Sequence, residues 1–225
     1  LLEADYAYAL ASLRMGAAAA ASGALMPIAP LLALNMHIAH APTPSALHLA
    51  ALLAEQHGAL HLASRRAEEV GTRLESEYEA SESPAVALMY GVASVSLGRI
   101  RLARHDAAAA AEAFTTAQAL LEDGGTALIA GQLACARAGA ELGAAAAAFF
   151  TDGSRAELAE FLHSPILADL PPDTRASVQA HAAVLYAQMC WAQGPDTHAA
   201  TSELDTALNA APHSLPLLVT RIAAA

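Results

Sequence analysis

The chain has no lysine and few aromatic residues, and both shortages restrict what it can do. All 11 basic residues are arginines, against 22 acidic residues, which leaves a net charge of −11. Affinity for nucleic acid comes largely from neutralised phosphates, so nucleic acid is not an expected partner. Aromatic residues make up 4% of the chain, while 56% is hydrophobic and much of that is alanine. Alanine is the best helix former, and this composition predicts thin layers of closely packed helices.

Cysteine is equally scarce. Cys135 and Cys190 form no C-x-x-C motif and lie in apolar helical stretches, which favours buried free thiols in a reducing compartment and predicts a cytoplasmic protein. The sequence begins LLEADY, without a methionine or a charged leader with a cleavage site. We therefore expect a segment of a longer protein.

A single uncharged run raises the question of a membrane span. It extends over residues 15–36, which is long enough to cross a bilayer. However, Gly23, Pro27 and Pro30 interrupt it, and alanine contributes little insertion energy. A helix–turn–helix is the favoured interpretation, and no membrane contact is expected.

Helical periodicity runs along the whole chain between short breakers, and no stretch shows the alternation of a β-strand. Thr43 or Ser45 is predicted to cap one helix, Pro84 suits a first helical turn, and Ser154 with Glu157 has capping-box spacing. The breakers group the helices into five pairs, predicted at residues 2–39, 45–79, 84–122, 126–163 and 173–210.

The stretch LGRIRLARHDAAAAAEAFTTAQAL contains small and aromatic residues at a specific spacing. Gly98 follows Leu97, Ala110 lies twelve residues after Gly98, and Phe114 and Ala117 follow at intervals of four and three. Small residues let two helices cross closely while a phenyl ring fills the adjoining hole. This pattern resembles the tetratricopeptide repeat.

A second copy of the pattern lies near the end of the chain, in AATSELDTALNAAP. There Ala200, Leu204, Ala207 and Pro212 show the small, large, small and proline spacing. The other pairs match less well, and the pair at 2–39 matches least.

The repeat period is longer than the roughly 34 residues of that family. The second-helix anchors Ala63, Ala110, Ala156 and Ala200 are 47, 46 and 44 residues apart. This period is similar to that of the extended repeats of MalT/LuxR-type bacterial regulators, in which a nucleotide-binding domain precedes the repeats and a helix-turn-helix follows them. Neither a G-x-x-x-x-G-K-[ST] motif nor a basic recognition helix occurs in the chain.

The resemblance implies an all-α fold: a single domain over residues 1–225, built as a right-handed α-solenoid of about five antiparallel helix pairs. In tetratricopeptide-repeat proteins the first helix of each pair lines a concave groove. The residues that the register places there are Val92, Val95, Arg99, Leu102, Leu185, Met189, His48 and Leu52. This face is mostly apolar, so either an apolar helix binds in the groove or tight winding fills it.

The sequence gives little evidence for metal-binding or catalytic residues. His37 with His40 and His57 with His61 have helical spacing for metal ligands, but the turn expected at Gly58 separates the second pair. No H-E-x-x-H or G-x-S-x-G motif occurs. We expect no catalytic residue, no metal and no cofactor.

These observations predict a protein–protein or effector-sensing interaction region, the regulatory region of a LuxR-type transcription regulator. The expected partner is a protein, a peptide or a small effector, with DNA bound only by a domain outside this segment. The alternative is a free-standing scaffold or adaptor without a DNA-binding domain.

Overall fold

The described part of the chain is helical, which confirms the predicted all-α class. The computed structural model describes residues 43–122, 130–194, 197–212 and 221, and these residues contain eight α-helices, one 3-10 helix and no strand. The predicted first pair, at 2–39, lies outside them. The α-helices are α1 (Pro44–Gln56), α2 (Leu60–Ser81), α3 (Pro84–Ala103), α4 (Ala107–Glu122), α5 (Ala130–Asp152), α6 (Ala156–Leu162), α7 (Pro172–Gln193) and α8 (Thr197–Ala210), and the 3-10 helix (Pro165–Asp169) precedes α7.

Local sequence explains most helix starts. The hydroxyl of Thr43 caps α1 by accepting a hydrogen bond from the amide of Ala46 at 3.3 Å, and α3 begins with the predicted proline. The predicted capping box of α6 is wrong. This helix starts after Arg155, so the hydroxyl of Ser154 accepts from the nearer amide of Ala156 at 3.4 Å instead of from one in the next turn.

The chain divides into two compact units, Leu1–Glu77 and Tyr78–Ala225, where the sequence predicts a single repeat domain. In the first unit, α2 buries a stripe at helical spacing that consists of Ala63, Ala67, Val70 and Leu74. The residues of α2 beyond Leu74 are exposed or half-buried. The boundary therefore falls where the helix no longer contributes to a core.

Within the second unit, helices contact their neighbours in chain order. Helix α3 packs against α4, and α5 packs against both of them. Helix α6 and the 3-10 helix pack against α5, α7 contacts α5, α6 and the 3-10 helix, and α8 packs against α7. Within this unit, each helix pair after the first thus contacts the pair that precedes it.

One close approach between helices surrounds the phenyl ring of Phe114, which is 1% exposed. A Cβ atom built on Gly98 of α3 would lie 2.7 Å from this ring, and one built on Gly143 of α5 would overlap the ring outright. Ala110 and Ala147 complete the cluster. Two glycines on different helices therefore make the space that a ring from α4 fills.

A larger core joins α5, α6, α7 and α8 and includes Phe161, Met189 and Leu204. Tyr186 lies at its edge, where burial raises the pKa of the phenol and a hydrogen bond with Cys190 raises it further. Neither cysteine forms a disulfide; Cys190 is buried, as predicted, while Cys135 is only half-buried. The core thus accommodates one polar pair among apolar side chains.

An ion pair links Asp205, within α8, to Arg221. The Nε atom of Arg221 donates to a carboxylate oxygen of Asp205 at 2.6 Å, and this bond holds the pKa of Asp205 below its ordinary value. Both side chains are substantially exposed, so the pair fixes local geometry more than it stabilises the fold.

The packing around Phe114 predicts opposite effects for two Gly→Ala substitutions. Gly143→Ala should lower the free energy of unfolding by about 1–3 kcal/mol, because the added methyl group overpacks the ring. The matched control is Gly71→Ala in α2, where an added Cβ meets no atom within 4 Å. It should raise stability by up to about 1 kcal/mol through helix propensity. Urea unfolding followed by circular dichroism measures both, and equal effects would contradict the packing.

Candidate functional site

A cleft of about 530 Å³ lies between α4, α5 and the 3-10 helix. Its lining residues come from three elements and are Gln118, Glu122, Arg137, Glu141 and Ile166. The volume is in the range of small-molecule sites, about 300–1,000 Å³. The cleft is the candidate functional site because it combines this volume with converging polar side chains.

Arg137 closes the end of α4. Its Nε atom donates to the carbonyl of Leu121 at 2.7 Å, and its Nη2 atom donates to the carbonyl of Glu122 at 2.6 Å. The last carbonyls of an α-helix have no partner within the helix, and a cation at this end also opposes the helix dipole. These two bonds hold the guanidinium in one orientation in the wall of the cleft.

Glu141 follows Arg137 by one helical turn on α5, so both side chains lie on the same face of the helix. A carboxylate oxygen of Glu141 accepts a hydrogen bond from Oγ of Ser164 at 3.0 Å. The same Ser164 oxygen accepts from the amide of Ile166 at 3.4 Å and so caps the 3-10 helix. Glu141 therefore ties the 3-10 helix to α5 and positions Ile166 at the cleft.

The cleft supplies binding groups rather than a reactive set. It holds an amide, two carboxylates, a fixed guanidinium and an aliphatic side chain. Within the described ranges, no three His, Cys, Asp or Glu side chains are close enough to hold a metal ion. His57 and His61 are exposed and flank Gly58, whose φ of +72° makes the predicted turn, while His37 and His40 lie outside the described residues.

Three of the eight predicted groove residues are buried. Arg99 is exposed; Val92, Val95, Leu102 and Leu185 are half-buried; Met189, His48 and Leu52 are buried. A Cβ atom on Gly139 of α5 would lie 3.4 Å from a methyl of Val95, so α5 covers this face of α3. Buried side chains offer no surface to a ligand, so the three buried positions do not line an open groove, and the groove itself stays a prediction.

The predicted repeat-packing residues do not meet in one place, and Ala117 lies in a separate cluster with Leu121, Leu133 and Ala140. The buried ones are Gly98, Ala110, Phe114, Ala117, Ala200, Leu204 and Ala207, whereas Leu97 is half-buried and Pro212 is exposed. Gly98, Ala110 and Phe114 meet in one cluster, around the ring. The later three join the core between α7 and α8, and Pro212 stands just beyond α8.

The sequence did not predict the roles of two sets of residues, the small residues of α5 and the lining of the cleft. Gly139, Gly143 and Ala147 repeat a small residue at every fourth position of α5, a signal for close helix packing that the surrounding alanines conceal. The cleft residues carry no such signal. They come from three elements that are separated along the chain, and only the packing of α5 brings them together.

Two helices of the described chain are long and apolar enough to span a membrane by length and composition alone. They are Pro84–Ala103 and Leu133–Asp152, of which 44% and 39% are buried within the fold. The core helix of a soluble protein passes the same test, so this is weak evidence. The uncharged run at 15–36 lies outside the described residues.

No protein-family model, curated protein or solved structure matches the chain. The resemblance to tetratricopeptide repeats and to LuxR-type regulators rests on the residues quoted above, and it stays a prediction.

The role of Arg137 at the end of α4 can be tested by substitution. Arg137→Met keeps much of the aliphatic stem but leaves the carbonyls of Leu121 and Glu122 without their donor. It should lower the free energy of unfolding by about 1–3 kcal/mol, measured by urea unfolding. Arg65→Met, at an exposed position of α2, is the control and should change stability by less than about 0.5 kcal/mol. Equal values for the two variants would contradict the capping role.

Proposed function

We propose that the chain is a right-handed α-solenoid of antiparallel helix pairs, resembling tetratricopeptide repeats, which serves as an interaction or effector-sensing region. The order of helix contacts carries this proposal. Helix α5 contacts both helices of the pair before it, and α7 contacts both α5 and α6. In a solenoid each repeat packs against its neighbours and so builds an extended binding surface.

The chemistry of the described surface also favours binding. The cleft beside α4 offers hydrogen-bonding and charged groups around an aliphatic side chain, which suits recognition of a ligand. The proposed partner is a protein, a peptide or a small effector. No catalytic role, cofactor, membrane contact or nucleic-acid contact is proposed for this segment, whose net charge of −11 opposes binding to phosphates.

The region is proposed to act as the regulatory part of a cytoplasmic LuxR-type bacterial transcription regulator. The long repeat period supports this assignment. Ligand binding would occur here and DNA binding in a domain outside residues 1–225. The absence of a G-x-x-x-x-G-K-[ST] motif and of a basic recognition helix from these residues is equally compatible with a free-standing scaffold or adaptor.

The sequence of the gene on both sides of this segment separates the two candidates. A regulator should encode a basic helix-turn-helix after Ala225 or a phosphate-binding loop before Leu1. A stop codon shortly after Ala225 together with no upstream domain would overturn the regulator and leave the scaffold.

The solenoid architecture predicts local rather than global loosening. Leu204 is fully buried in α8, and Leu204→Ala should cost about 2–5 kcal/mol at that site. Native-state hydrogen exchange should then accelerate in α7 and α8, while the amides of α3 and α4 keep their protection. Asn209→Ala, at an exposed position of the same helix, is the control and should leave exchange unchanged. Uniform acceleration along the chain would show one cooperative globule and contradict the solenoid.

A further inference from the structure

We propose that the cleft between α4, α5 and the 3-10 helix binds a small organic cation, with one ammonium or guanidinium group on a short aliphatic body. This inference rests on the effector-sensing role proposed above, for which it names the chemical class of the effector.

The described charges around the cleft leave an excess of one negative charge. Among the residues that the structure describes, the ionised lining side chains are the carboxylates of Glu122 and Glu141 and the guanidinium of Arg137, so their formal sum is −1. The carboxyl-terminal end of α4 opens onto the same place and adds partial negative charge. A monovalent cation neutralises this site, whereas an anion would meet both carboxylates.

Arg137 is held against the end of α4. Its Nε and Nη2 atoms donate to the carbonyls of Leu121 and Glu122, and its positive charge offsets the partial negative charge of this helix end. The guanidinium keeps its charge and further N–H donors, so binding of an anion is the competing outcome that the experiment below must separate from binding of a cation.

Glu141 is the best placed group to hold the cation. It is half-buried, and its carboxylate is oriented by the hydrogen bond from Ser164 at 3.0 Å. A carboxylate has about four acceptor positions, and a hydrogen bond to a charged partner is about twice as strong as a neutral one. Glu122 lies across the cleft, on α4, and is more exposed.

The uncharged lining residues indicate the size and polarity of the rest of the ligand. Ile166 is half-buried and gives an aliphatic surface, and Gln118 offers both a donor and an acceptor. A volume of about 530 Å³ is larger than a single metal ion needs. The described residues also form no group of three metal-binding side chains. The cleft therefore fits an organic cation of a few carbon atoms rather than a metal.

Isothermal titration calorimetry on the full 225-residue chain, in an amine-free buffer, tests this inference. The probes are n-butylguanidinium and n-butylammonium, with n-butyrate and n-butanol as the anionic and neutral controls. A cationic probe should bind in a saturable way with a Kd in about the millimolar range, and n-butyrate should not bind. Absence of saturable binding by both cations, or binding of n-butyrate as tight as theirs, overturns the inference.

Two matched variants locate the binding. Glu141→Gln should weaken the binding of the cation about tenfold or more. Glu112→Gln removes the same charge from an exposed position of α4 outside the cleft and should leave the Kd unchanged. Equal weakening in both variants would indicate general electrostatics and overturn the site.

Folding of Glu141→Gln is checked by circular dichroism. If this variant does not fold, Glu122→Gln replaces it, and unchanged binding in that variant overturns the inference. Failure of the cation to bind while Leu204→Ala still loosens only α7 and α8 would reject the effector class and leave the solenoid standing.

Discussion

The phenyl ring of Phe114 fills the space left by two absent side chains, and the placement of α3, α4 and α5 depends on this contact. Gly98 and Gly143 face the ring from different helices, and neither position has room for a Cβ atom. Three helices can therefore approach one another more closely than residues with side chains allow. Helix α5 also contacts α6, the 3-10 helix and α7, so its position influences how these three elements pack.

The candidate site is a consequence of the same placement. Once α5 lies against α4, Arg137 reaches the last carbonyls of α4, and Glu141 lies one turn further along, beside the 3-10 helix. The groups that satisfy the end of a helix thus also build one wall of a cleft. The residues proposed to bind a ligand also have structural roles, so stability and the proposed ligand recognition are expected to be coupled at Arg137 and Glu141.

A core rich in alanine has physical consequences for the whole chain. Each alanine buries little apolar surface, so stability comes from many close contacts between neighbouring helices rather than from a few large side chains. Where a helix stops burying residues, as α2 does after Leu74, the core ends and the chain divides into two units. Because small residues recur along the helices, the stabilising contacts are spread along the chain.

The sequence by itself determined the helical class, most helix ends and the meeting of Gly98 with Phe114, because breakers, caps and the small–large spacing act over one or two turns. It could not place Gly143 against the ring, since that contact depends on how α5 crosses α4. Nor could it identify the cleft, whose polar residues are ordinary surface residues until three separate elements bring them together. Only the tertiary structure decided which predicted groove positions are buried, because the burial of a helix face depends on which neighbour packs against it.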